Sequence, residues 1–236
     1  MDQLISPNTL KILSPLLIGT TYISAFKNHK QTCDRYMLNY FLYLITTIVL
    51  YLTFGELSDE YGFNDNKMAL ILSFIGSIGI IFAFTVTKNV WVRHLLFIAL
   101  IFLISIGSKK FYEKYDKEEI TSVIKKLLLI LVVCAGIAVK FPDLIKPGLV
   151  NAGMISLIII IILSLVDHFV FKGKYNKIIS TIIVFIFTMF IIYDTNRVIG
   201  YSKKCKSDKN GDKYLNHVID MFLNIINVFN NLLNIE

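Results

Sequence analysis

The stretch of this sequence richest in chemistry is a stripe of polar residues in an otherwise apolar segment. Lys213, His217, Asp220, Asn224, Asn227, Asn231 and Asn234 recur at steps of 4, 3, 4, 3, 4 and 3. On a helix that spacing makes one continuous face, with Val218, Met221, Phe222, Ile225, Val228, Phe229 and Leu232 among the residues filling the rest. A carboxylate and a row of amides are costly against lipid, so the face must meet protein or water. Their oxygens are hard donors of the kind calcium prefers. Asp194 is the second feature, because it closes the uncharged run 178–193. An acid near the end of one span and another, Asp220, a turn or two inside the next would lie at similar depth. Two such acids in a low dielectric can share a proton, and when ionised they can hold a cation. The expectation is a pH-sensitive latch or ion path formed by Asp194, Asp220, Asn224, Asn227, Asn231 and His217. In it Asp194 and Asp220 are transient calcium ligands. A competing reading makes the segment a surface helix with its Asn face in water. Such helices carry a Lys/Arg-rich polar face, whereas this face has one lysine and then amides.

The elements that would position these groups are membrane helices. Hydrophobic residues make up 55% of the 236 residues and charged ones 17%, with a mean hydropathy of +0.64. Soluble domains carry roughly 45–50% apolar and about 25% charged residues. The composition therefore excludes a disordered chain, a collagen-like chain and an ordinary cytosolic enzyme. A bilayer span needs about 20 mostly apolar residues. Residues 36–55, 68–87 and 147–166 satisfy this outright, and the runs 95–108, 127–139 and 178–193 do so with flanking Lys and Arg that can snorkel. The fold class is all-α, a polytopic membrane helix bundle of six spans plus a seventh, C-terminal membrane or re-entrant helix, Tyr214–Ile235. Residues 1–35 read as a cytosolic or interfacial N-terminal segment and 36–236 as one helical domain. The uncharged run 12–26 holds Pro15, Gly19 and several hydroxyl residues. It lacks the compact apolar block and small-residue cleavage site of a signal peptide, and an extra span there, allowed by its length, is the minority alternative.

The net charge of +7 comes from basic residues between the apolar runs. It speaks for orientation in a lipid bilayer rather than for a nucleic-acid partner. With a cytosolic N-terminus, the loops carrying Lys88 and Arg93, Lys140 and Lys146 (against Asp143), and Arg197, Lys203, Lys204, Lys206, Lys209 and Lys213 (against Asp208 and Asp212) face the cytosol and are net basic. The acidic loop with Glu56, Asp59, Glu60 and Asp65 faces away, and the loop with Lys172, Lys174 and Lys177 goes against the rule. Cys33, Cys134 and Cys205 are too few and too scattered for a disulfide scaffold or a metal site. No nucleotide-binding, metalloprotease or nucleophile-elbow motif is present, so no enzyme and no cofactor is expected. A membrane aspartyl protease would need Gly-x-Gly-Asp, and Asp220 stands in His-Val-Ile-Asp-Met instead. Gly76 and Gly79 form a small-residue patch that reads as close helix packing.

The segment Ile-Ile-Tyr-Asp-Thr-Asn (191–196), a short basic loop, then Met-Phe-Leu-Asn-Ile-Ile-Asn-Val-Phe-Asn-Asn-Leu-Leu (221–233) resembles the closing signature of the Bax-inhibitor-one family, the transmembrane BAX-inhibitor-motif proteins. Ser-Phe-Ile-Gly-Ser-Ile-Gly-Ile-Ile-Phe-Ala-Phe-Thr (73–85) is similar to the second span of its Golgi anti-apoptotic branch, which has virus-encoded members. Asp-Leu-Ile-Lys-Pro-Gly (143–148) resembles the loop before the fifth span, and the region 36–47 resembles the first span. The resemblance implies a helical bundle in Golgi or endoplasmic reticulum membranes, here of a virus-infected host cell. It also implies inhibition of apoptosis and a pH-regulated calcium leak with calcium as the permeant ion. The family's latch pairs two aspartates with a basic residue near the end of the second span. Asp194 matches the first aspartate, the basic residue falls on Lys88, and the second aspartate falls on Asn224. Asp220 sits one turn earlier, about 6 Å along the axis. A glutamate common in the third span is absent, with 104–106 occupying its region. These departures favour an alternative in which the chain is a non-conducting membrane adaptor that blocks cell death by binding apoptosis-regulating proteins.

Overall fold

The computed structural model describes residues 6–27, 30–33, 35–142, 144–205 and 213–236. Asp143 and the loop residues Lys206, Asp208, Lys209 and Asp212, used above to orient the chain, lie outside the described residues. Helices dominate: α1 (Pro7–Ala25), α2 (Tyr36–Glu60), α3 (Lys67–Val86), α4 (Val90–Ser105), α5 (Ser108–Tyr112), α6 (Lys117–Lys140), α7 (Pro147–Phe169), α8 (Asn176–Lys204) and α9 (Lys213–Ile235). A two-residue antiparallel ladder, β1 (Phe26–Lys27) with β2 (Lys30–Gln31), follows α1. Among the described residues seven helices are long and apolar enough to cross a bilayer, in the order the apolar runs predict. The short runs lengthen at both ends as expected from flanking cations. The run ending at Tyr193 belongs to a helix that continues to Lys204, so Asp194 and Arg197 are helical residues. The chain forms two compact units, 1–117 with 205–218, and 118–204 with 219–236.

In the first unit α1 lies antiparallel along α2. The Ser14 and Thr53 hydroxyls are 2.6 Å apart, those of Thr21 and Thr46 are 2.7 Å apart, and the Ser24 hydroxyl donates to Asn39 Oδ1 at 2.6 Å. Asn39, Thr46 and Thr53 are spaced by sevens, so one stripe of α2 carries all three partners. Such interhelical bonds contribute about 0.6–2 kcal/mol each in a membrane bundle. The N-terminal segment is therefore a packed helix, because the hydroxyls that lower its hydropathy are spent on α2. At the other end of α2, Lys109 stands 3.0 Å from Glu56 Oε2 and 3.1 Å from Asp59 Oδ2. Asn64 Oδ1 accepts from Ser58 Oγ and from the Gly107 amide at 2.7 Å. Residues that read as loop charge are thus buried fasteners. Arg93 is another, since it is buried over the Phe84 ring, 4.4 Å from its centroid, and its Nη2 donates to Asn216 Oδ1. Gly76 lets α3 meet α4, because a Cβ there would stand 2.9 Å from Leu103 Cδ1. Gly79 faces open space.

Cys33 and Cys205 form a disulfide with Cα atoms 5.6 Å apart. The sparse cysteines gave no sign of it, because residues 172 apart in sequence are joined only by the fold.

In the second unit α7 and α8 pack through Ile160, Ile179, Ile186 and Phe190. Gly153 permits the approach, since a Cβ there would stand 2.8 Å from Phe190 Cε1. The other faces of α7 present Ile155, Ile158, Ile159, Ile161, Ile162 and Leu163 outward, as a lipid-contacting surface must. The end of α9 is tied down: Lys177 Nζ donates to the Ile235 carbonyl at 2.9 Å, and Glu236 accepts from Lys126 and Ser122. A cation on the last carbonyls suits the negative end of the helix dipole. The Lys126 ammonium and the Ser122 hydroxyl hold the Glu236 carboxyl below its usual range.

Candidate functional site

The last helix shows where the polar stripe sits. From His217 to Ile235 every residue of α9 is buried or half-buried, although the Asp220 side chain is 42% exposed. Three residues of the expected latch, Asp194 and the stripe's Asp220 and Asn224, come together in the second unit. Asp194, on α8, is 8% exposed. Its Oδ2 accepts from Asn224 Nδ2 of α9 at 2.8 Å, and its Oδ1 accepts from Arg197 Nη1 at 3.1 Å. The same Nη1 donates to Asp220 Oδ2 at 3.2 Å. Arg197 also lies over the Tyr193 ring, 5.8 Å from its centroid. A guanidinium therefore bridges the acids of the two helices, and the amide of Asn224 locks the inner one.

The arrangement follows from helix geometry. Asp194 and Arg197 are i and i+3 on α8, so they share a face. Asp220 and Asn224 are i and i+4 on α9, so both reach the facing helix one turn apart. Charge-assisted bonds of this kind are stronger than neutral ones, and they satisfy a buried carboxylate that would otherwise be costly.

The remaining expected residues do other things. Asn227 Nδ2 donates to the Leu223 carbonyl and Asn231 Nδ2 to the Asn227 carbonyl, both at 2.8 Å, so these amides bond back onto α9. His217 is buried in the first unit with Nδ1 2.8 Å from the Tyr36 hydroxyl. Lys88 is exposed in the turn between α3 and α4, and among the described residues no ion pair involves it. The cation in contact with both acids is Arg197, which the sequence reading counted as loop charge. Its spacing of three from Asp194 was the available signal. Also missed was His94, whose Nδ1 lies 2.8 Å from the Val90 carbonyl and Nε2 2.9 Å from the Tyr43 hydroxyl. A carbonyl can only accept, so Nδ1 donates to it, and in the neutral ring Nε2 accepts from Tyr43.

Asp194, Asp220 and Asn224 could offer carboxylate and amide oxygens to a cation, yet calcium needs six to eight oxygens. Among the described residues no group of three or more His, Cys, Asp or Glu side chains gathers at metal-binding distance. The arrangement holds the Arg197 guanidinium between the two carboxylates.

Seven helices long and apolar enough to cross a bilayer, among the described residues, define a multi-pass membrane protein. A family model described as "Inhibitor of apoptosis-promoting Bax1" matches residues 29–235, and the chain belongs to that Bax-inhibitor family. No curated protein matches the chain. Membership supports an anti-apoptotic role in a membrane.

Proposed function

We propose that the chain inhibits apoptosis in Golgi or endoplasmic reticulum membranes by acting as a regulated cation leak, with calcium as the permeant ion. The observation that carries this reading is the shared hold of Arg197 on Asp194 and Asp220 across α8 and α9. A guanidinium is a fixed cation in the place of a mobile one. When it withdraws, Asp194 Oδ1 and Asp220 Oδ2 are freed together while Asn224 keeps its bond to Asp194 Oδ2, and acidification that protonates the acids weakens its hold. The chain acts by transport, not catalysis, and needs no cofactor beyond the ion. The loops with Lys88 and with Lys140 and Lys146 face the cytosol. Calcium efflux from vesicles reconstituted with the protein tests this: Asp194→Asn and Asp220→Asn change the flux and its pH dependence. Unchanged flux in both removes conduction.

A second reading, the non-conducting adaptor that binds apoptosis-regulating membrane proteins, draws on one feature. Both oxygens of Asp194 are already bonded to protein. Protection from cell death that persists in variants without flux selects the adaptor.

A further inference from the structure

We propose that α1 is an additional membrane crossing, antiparallel to α2, which puts the residues ahead of it on the opposite side of the bilayer from Lys88. The family match begins at residue 29, so α1, Pro7–Ala25, lies outside it and is an addition to the family's bundle. The proposal does not depend on ion conduction.

Three observations within the first unit carry it. First, contacts run the length of the helix. Lys11 Nζ of α1 pairs with Glu60 Oε2 at the far end of α2, at 3.2 Å. The Ser14–Thr53, Thr21–Thr46 and Ser24–Asn39 bonds follow in order, and at the opposite end Phe26 stacks on Trp91 at the start of α4, centroids 5.1 Å apart. Since α2 spans the bilayer, a helix alongside it from end to end spans it as well. Nineteen residues at 1.5 Å each reach about 28 Å, close to the thickness of a hydrocarbon core.

Second, the faces are arranged for lipid rather than for an interface. A helix lying on a membrane keeps its polar face in water. In α1 the polar Ser14 and Thr21 are buried against α2, while Ile12, Leu16 and Ile23 are 72%, 61% and 82% exposed. Third, the serine and threonine hydroxyls of α1 bond protein atoms rather than needing water. Ser14 Oγ donates to the Leu10 carbonyl at 2.8 Å, and Thr20 Oγ1 bonds the Leu16 carbonyl at 3.0 Å. Between Lys11 and Lys27 there is no charged residue. Hydropathy scales count these hydroxyls as if they were hydrated, which is why the sequence favoured a cytosolic or interfacial segment over the extra span that its length allows.

Single-cysteine reporters in the full chain test the assignment: Asn8→Cys at the start of α1, Tyr61→Cys just beyond α2 and Lys88→Cys in the α3–α4 turn. All three positions are exposed, the native Cys33 and Cys205 are paired and Cys134 is buried. The chain is treated in sealed microsomes with a membrane-impermeant maleimide, then again after detergent. The expected result is that N8C and Y61C label together, with K88C showing the opposite protection. All three label in detergent, which shows that the variants are present and reactive. N8C labelling together with K88C, on the side opposite Y61C, overturns the proposal.

Discussion

One cation serves two carboxylates at two places in this molecule, and the two clusters are built differently. In the first unit both acids, Glu56 and Asp59, come from α2, and Lys109 comes from α5. In the second unit the acids come from two helices, Asp194 of α8 and Asp220 of α9, and Arg197 comes from α8. The Glu56 and Lys109 side chains are 9% and 14% exposed, whereas those of Arg197 and Asp220 are 44% and 42% exposed. The first cluster is also braced by Asn64, whose Nδ2 donates to Asp59 at 3.2 Å. It is a sealed joint that holds a short helix onto a long one. The second ties two long helices through one guanidinium nitrogen, half-open to its surroundings, and through the buried bond from Asn224 to Asp194. A joint of that kind can be released without unfolding the helices that carry it, which is what a regulated contact requires.

The sharpest break in this contrast is Lys109→Met. It strands the buried Glu56 carboxylate, and removing one partner of a buried pair costs about 3–5 kcal/mol. Thermal unfolding in detergent should register a large loss, and a loss no greater than that of a surface variant would show that the joint is not sealed. Next comes Asn224→Leu, which takes the donor from Asp194 Oδ2. A buried acceptor left without its partner costs about 1–3 kcal/mol, measurable in the same assay. Asn224→Asp sharpens the comparison by another route. It sets a carboxylate where the family's second aspartate falls, directly against Asp194, so the two must share a proton. Vesicle flux of this variant should vary with pH more steeply than that of the wild type, and an identical profile would count against the shared-proton account. Arg197→Gln comes next in stability, at about 1 kcal/mol or less, because the group is half-exposed. Under the proposed leak its readout is vesicle flux, which should rise once the bridging cation is gone. The smallest effect belongs to Asp59→Asn, at about 0–1 kcal/mol, since Glu56 keeps Lys109 in place. Equal losses from D59N and K109M would erase the asymmetry between the joint's two acids.

Much of the site was legible in the sequence because helical periodicity is a property of a single segment. The 4-3 spacing from His217 to Asn234 placed Asp220 and Asn224 on one face, and the structure puts both at the α8–α9 contact. The same stripe did not show that Asn227 and Asn231 would bond their own backbone, because an amide's choice between a neighbour and its own helix depends on what stands opposite. Arg197 read as a loop residue because the apolar run stops at Tyr193. A long polar end on a packed helix has no hydropathy signature.

The sequence by itself determined the membrane class, the order of the spans and the polar face of the last helix. These follow from apolar run length and from angular spacing along one chain, both of which are local. Only the tertiary structure decided which cation meets Asp194, that Cys33 finds Cys205, that Glu56 is sealed by Lys109, and that α1 lies along α2. Each of these depends on the rotation and depth of one helix relative to another. Those two quantities are set by packing across segments, and no single segment encodes them.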